Sequence, residues 1–128
     1  MKKILIVEDK EMVYQPLASY FKKKKWEVEI ADDGKTAFEL LTKENPAKYS
    51  CMLLDLRMNQ MDGDELLKEL KLKGITPPST ILLSAYADSL NIAELESLGI
   101  LEILEKPCNP LIIEETADKL RKRISSKN

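Results

Sequence analysis

Histidine is absent from this chain. With it go Ser-His-Asp and Cys-His triads, His-ligated zinc and imidazole acid–base chemistry. Cysteine is scarce. Cys51 and Cys108 lie far apart with no CxxC spacing, which argues against a metal knuckle or a disulfide framework. No apolar run approaches the roughly 20 residues of a membrane span. The opening MKKILIVED meets acidic residues too soon for a signal peptide, so a cytoplasmic protein without membrane contact is expected. An excess of positive charge is also missing: lysine and arginine total 20 against 22 acids, net −2, so no global field favours direct nucleic-acid binding. The local exception is Lys22-Lys23-Lys24-Lys25. Cations at a helix C-terminus complement its dipole and keep a surface soluble, which is the simplest reading; contact with an acidic partner is the other.

What is present fits one soluble domain spanning residues 1–128, with 44% apolar and 33% charged residues and a tail, 125–128, expected to fray. Short apolar runs alternate with amphipathic segments. Ile4–Val7, Cys51–Leu54, Ile81–Leu83 and Ile100–Leu104 read as strands covered on both faces. Trp26-Glu27-Val28-Glu29-Ile30 alternates strictly, as an edge strand with one wet face does.

Helical patterns fill the gaps. Val13, Leu17, Tyr20 and Phe21 share one face, with Pro16 predicting a late start or a bend. Asp32-Asp33-Gly34 precedes a second helix that Asn45-Pro46 stops. Asp62 and Glu65 resemble a capping box before Leu66, Leu67 and Leu70, and Gly74 ends that helix. Asp88 or Ser89 is expected to cap a fourth, with Ile92, Leu95 and Leu98 inward and Gly99 after it. Asn109-Pro110 opens the last, which carries Ile113, Ala117, Leu120 and Ile124. Five β–α units in series imply a doubly wound α/β fold, a parallel sheet with helices on both faces.

In such sheets ligands bind beyond the carboxyl ends of the strands. There stand Glu8 and Asp9 after strand one, Asp55 after strand three, Ser84 after strand four and Lys106-Pro107 after strand five. Each alone suits a turn. Together, clustered carboxylates repel one another and call for a cation. An oxygen-only set selects a hard ion, Mg²⁺ or Mn²⁺. Ser84 offers a donor and Lys106 a compact positive charge to a phosphoryl group, while Asp55 offers a carboxylate nucleophile. Phosphoryl transfer needs positioning and charge neutralisation more than acid–base groups, so lacking histidine is no obstacle.

From Lys3 to about Ile124 the sequence resembles the receiver domains of two-component response regulators. The resemblance rests on Glu8-Asp9, the loop DLRMNQMDG at 55–63, Ser84-Ala85 and Lys106-Pro107. It implies a flavodoxin-like (βα)5 fold with strand order 2-1-3-4-5. It also implies Asp55 as acceptor of a phosphoryl group from the phosphohistidine of a sensor histidine kinase or a histidine phosphotransfer protein. Asp9, Asp55 and the backbone carbonyl of Arg57 would bind Mg²⁺ directly, with Glu8 acting through water. Ser84 would follow the phosphoryl group and Lys106, beside a cis peptide, would pair with it. Phosphorylation would then change a face that binds a downstream protein or a second copy. No turnover of an external metabolite is implied.

Two departures stand out: Asn59 replaces a usual proline, and Ile103 replaces an aromatic that swings inward in many receivers. Output through shifts of the fourth helix and fifth strand is therefore expected. Arg57 and Tyr86 occupy positions that tune hydrolysis in that family. Three alternatives compete with it. A receiver-like module that binds partners unphosphorylated remains open. An Mg²⁺-dependent aspartyl phosphatase would want a second acid where Arg57 stands. A flavin module would want Ser, Thr or Gly after strand one, where Glu8 and Asp9 repel phosphate.

Overall fold

The structure is a computed structural model describing residues 2–58, 60–85 and 90–126. Five strands, β1 (Lys3–Val7), β2 (Glu27–Ala31), β3 (Cys51–Asp55), β4 (Thr80–Ser84) and β5 (Ile100–Glu105), form one parallel sheet in the order β2-β1-β3-β4-β5. The helices are α1 (Glu11–Lys23), α2 (Gly34–Lys43), α3 (Gly63–Leu72), α4 (Ile92–Ser97) and α5 (Pro110–Ser126), with a 3₁₀ turn at Pro46–Lys48. The doubly wound topology expected from the alternation is present.

Alternation along the central strands divides the core. Leu5, Val7, Met52, Leu54 and Leu82 face α2, α3 and α4, whereas Ile4, Ile6, Leu53, Ile81 and Leu83 face α1 and α5. Both faces are covered, so β3 and β4 are buried along their whole length. The edge strand behaves differently. Trp26, Val28 and Ile30 pack on the α1–α5 side. Glu29, expected on a wet face, is instead bound by Lys3 at 3.0 Å, Lys48 at 3.4 Å and the Tyr49 hydroxyl at 2.6 Å. An edge carboxylate keeps its charge there because cations and a hydroxyl replace water: burial alone would raise its pKa, but these partners hold it below the usual value.

Most helix ends follow local chemistry. Asp33 caps α2 by accepting the Thr36 N–H at 2.7 Å, and Asn109 caps α5 by accepting that of Leu111 at 2.9 Å. Gly74, at φ 70°, closes α3, its N–H donating to the Lys71 carbonyl and the Ile75 N–H to the Leu70 carbonyl. Pro16 does not delay α1: the helix starts at Glu11 and runs through it. The carbonyl that Pro16 leaves unpaired belongs to Met12, a residue 90% exposed. The described part of α4 starts at Ile92 under an Asn91 cap that accepts the Glu94 N–H, while the expected caps Asp88 and Ser89 lie outside the described residues. Ile92, expected inward, is 44% exposed because it opens the helix, and Leu95 and Leu98 are the buried positions. The side chain of Ile124 and residues 127–128 of the tail also fall outside the description.

Candidate functional site

Parallel register brings the strand ends level. Val7 lies opposite Leu54, which puts Glu8 beside Asp55; Asp55 lies opposite Leu83, and Ser84 opposite Glu105, one residue before Lys106. Backbone bonds extend the ladder past the strands, with Leu56 N–H to Leu83 carbonyl at 3.2 Å and Lys106 N–H to Ser84 carbonyl at 2.9 Å. The Lys106–Pro107 peptide is cis, as the resemblance implies.

The side chains converge. Asp55 is 4% exposed and Glu8 3%, levels rare for carboxylates without partners. Lys106 Nζ donates to Asp55 Oδ1 at 2.6 Å and to Glu8 Oε1 at 3.2 Å, so one ammonium serves two buried acids. Glu8 Oε2 accepts the Lys10 N–H at 3.3 Å. Asp9 reaches the same place, since one carboxylate oxygen each from Glu8, Asp9 and Asp55 lies within 4.8 Å of the others. Ser84 is buried and lines, with Asp55, Leu56, Arg57, Lys10 and Lys106, a cleft of about 190 Å³.

Electrostatics follow from this crowding. Burial, and then the neighbouring Asp55 charge, push Glu8 above its ordinary carboxyl value; Lys106 and the Lys10 amide pull the other way and lose. Burial alone would lower Lys106, but its hydrogen bond to Asp55 and the charges of Asp55 and Glu8 raise it. The ammonium is therefore firmly charged. It is also outnumbered. Asp55 Oδ2 is buried without a hydrogen-bond partner among the described groups, which is costly for a carboxylate oxygen. A carboxylate with one unpaired oxygen, clustered with two further carboxylates, fits a hard divalent cation, and the donor set is oxygen throughout.

The loop after Asp55 corrects one expectation. Asp62 stands at the N-cap of α3, but its side chain makes no capping bond. Instead Oδ1 accepts the Met58 N–H at 3.0 Å and Oδ2 pairs with Arg57 Nη1 at 3.1 Å. The carboxylate thus ties the loop back on itself and occupies Arg57, whose side chain is otherwise exposed. Asn59 and Tyr86, singled out in the sequence, lie outside the described residues. Ile103 packs, partly buried, against the core on the α4 side.

Sequence reasoning missed Gly63. A Cβ there would sit 2.6 Å from the Asp55 carbonyl oxygen, and the Gly63 N–H donates to the Leu56 carbonyl at 2.8 Å. The start of α3 is thereby pressed against the backbone that carries Asp55. The Asp-Gly pair signals a turn, but only the packing reveals the steric demand.

Comparison with known proteins agrees with this geometry. A family model described as response regulator receiver domain matches residues 4–118. The transcriptional regulatory protein SrrA of Staphylococcus aureus is 31% identical over 123 residues, covering 96% of this chain and 49% of SrrA. The chain thus spans about half the length of that curated relative. Among solved structures, the receiver domain of the Francisella response regulator 1452 superposes with a TM-score of 0.85 at 29% identity, covering 97% of this chain and 99% of that one. The Vibrio cholerae chemotaxis protein CheY4 shares the fold, with a TM-score of 0.81 at 24% identity over 94% of this chain and 98% of its own.

Proposed function

The chain belongs to the response regulator receiver domain family, and from that premise we propose that Asp55 accepts a phosphoryl group from the phosphohistidine of a sensor histidine kinase or a histidine phosphotransfer protein. The observation that carries this reading is the state of Asp55. One oxygen is held by Lys106 at 2.6 Å, the other is buried without a hydrogen-bond partner among the described groups, and the carboxylate clusters with those of Glu8 and Asp9. In the transfer, an Asp55 oxygen forms a bond to phosphorus as the bond from phosphorus to the imidazole nitrogen breaks. The electron pair leaves with the ring, which takes a proton from solvent.

Each neighbour has a task. Lys106 orients the carboxylate beforehand and afterwards pairs with the phosphoryl oxygens, a charge-assisted contact. Ser84 lines the cleft where those oxygens arrive and donates its hydroxyl to one of them. Glu8, Asp9, Asp55 and the Arg57 carbonyl would hold Mg²⁺ or Mn²⁺. When bound, the ion neutralises phosphoryl charge. Arg57, tethered to Asp62, shields the acyl phosphate from water and so slows the loss of phosphate to solvent. The chain acts on itself rather than on a soluble metabolite. The modification shifts the packing of Ile103 and α4 and so alters a face that binds a downstream protein or a second copy.

The test is intact-mass measurement after incubation with acetyl phosphate and Mg²⁺. One added phosphoryl group on wild type and none on Asp55→Asn is expected. No adduct on wild type with several phosphodonors overturns the reading in favour of a module that binds partners unphosphorylated.

A further inference from the structure

At the opposite end of the molecule from Asp55, α1 and α5 finish side by side on one face of the sheet, sharing the core cluster that includes Phe21, Trp26, Ala117 and Leu120. Trp26, just past the end of α1, is tied to α5, for its indole N–H donates to Glu114 at 3.3 Å. Asp118, Arg121 and Lys122 follow on the same stripe of α5, four, seven and eight residues beyond Glu114. On the other side of Trp26, Lys2 Nζ donates to the Lys24 carbonyl at 3.0 Å and sits 5.6 Å from the indole centroid. The Lys24 ammonium lies 5.6 Å from the Tyr20 ring centroid.

The charge here is lopsided. Lys2, Lys22 through Lys25, Arg121 and Lys122 make seven cations against the three carboxylates Glu114, Glu115 and Asp118, an excess of four. Glu27, nearby on β2, is already paired with Lys3 at 3.7 Å. Two helix C-termini carry only about half an elementary charge each, so dipole neutralisation accounts for about one of the four. The chain as a whole is net −2, so positive charge has been gathered at this pole and the remaining surface is acidic.

We propose that this lysine-rich pole is a docking surface for an acidic segment of a partner protein. Three observations choose that occupant. Helix C-termini present carbonyl groups, not the amide donors that grip phosphate, and six of the seven cations are lysines, point charges on flexible stems that tolerate irregularly spaced carboxylates. That weighs against nucleic acid. The large exposed apolar side chains lie elsewhere: Met12, Leu111 and Ile112 at the far ends of these same helices, and Leu72, Ile92 and Leu101 on α3, α4 and β5. An anionic membrane would therefore find charge without an apolar anchor. Finally, the surface is separate from the acceptor cleft, so docking and phosphorylation do not compete for the same residues.

Trp26 is the sole tryptophan, and its emission reports on the pole directly. Titration of the full chain with an oligoglutamate peptide at low salt is expected to change that emission saturably and to weaken as salt rises. The double variant Lys22→Gln, Lys23→Gln should bind about tenfold more weakly, two exposed charge contacts having been removed. Lys71→Gln, on α3 across the sheet, should bind as wild type does. Lys2→Gln provides a second test outside the helices, and circular dichroism verifies that each variant is folded. Absence of a saturable change, wild-type binding by both pole variants, or tighter binding to duplex DNA or phosphatidylserine vesicles overturns the proposal. None of these results bears on Asp55.

Discussion

Replacing Lys106 by Met keeps the aliphatic stem and removes the one ammonium that serves Glu8 and Asp55, acids 3% and 4% exposed. Breaking a buried pair by deleting one partner typically costs about 3–5 kcal/mol, because the remaining charge is left uncompensated. Lys106 retains 23% side-chain exposure, so solvent screens part of the interaction and the lower end, about 3 kcal/mol, is expected in metal-free buffer. For a domain of this size that corresponds to a fall in Tm of roughly 10 °C. The pH dependence has a definite sign. Glu8 already titrates above its ordinary value, so its protonated form favours the folded state below the unfolded pKa and that contribution is lost as pH rises through the folded one. Without Lys106 the Glu8 pKa rises further, and the deficit should grow from acid toward neutral pH. Mg²⁺ should recover part of it, by about 2.7 kcal/mol at a hundredfold excess over Kd. Urea melts followed by Trp26 emission, across pH and with or without Mg²⁺, measure all three effects. A variant as stable as wild type at neutral pH without metal would refute the claim that this ammonium compensates the buried acids.

Three further predictions follow from other residues. Gly63→Ala places a methyl 2.6 Å from the Asp55 carbonyl oxygen, and should cost about 1–3 kcal/mol in urea melts while slowing phosphorylation by acetyl phosphate. The Tyr49 phenol is pushed up to about 12 by burial and its bond to Glu29, so its stabilising share is complete below its ordinary value near 10 and vanishes as pH climbs toward 12; Tyr49→Phe should remove that alkaline step from the stability profile. Burial pushes the Cys51 thiol up to about 12 and shuts it in the core, whereas Cys108 is half-buried at the start of α5, so iodoacetamide should label Cys108 alone until the protein unfolds, as peptide mass mapping would reveal.

Period and punctuation made most of the fold readable. A β3 of four apolar residues ending on Asp55, and an alternating β2, each carried enough signal to fix strand type and edge position. The strand-end residues were readable for a related reason: a parallel sheet sends every strand's carboxyl end to the same side, so order alone gathers Glu8, Asp9, Asp55, Ser84 and Lys106. What sequence hid were competitions between partners. Asp62 has the form of a helix cap, and nothing local reveals that Met58 and Arg57 claim its carboxylate instead. Pro16 suggests a late start because the pattern does not show that the carbonyl it would orphan belongs to the exposed Met12. Gly63 looks like any turn glycine until the Asp55 backbone is placed beside it.

The ammonium of Lys106 reaches across 98 residues to Glu8 and 51 to Asp55. Since β5 joins the sheet only at its far edge, beyond β4, the acids can be assembled by β1 and β3 while their counter-charge is still missing. Ribosomal synthesis supplies the acids first and the lysine last. An incomplete chain thus carries mutual repulsion among acids that the finished one offsets with Lys106, so the acceptor chemistry proposed for Asp55 would arrive only with closure of the last strand.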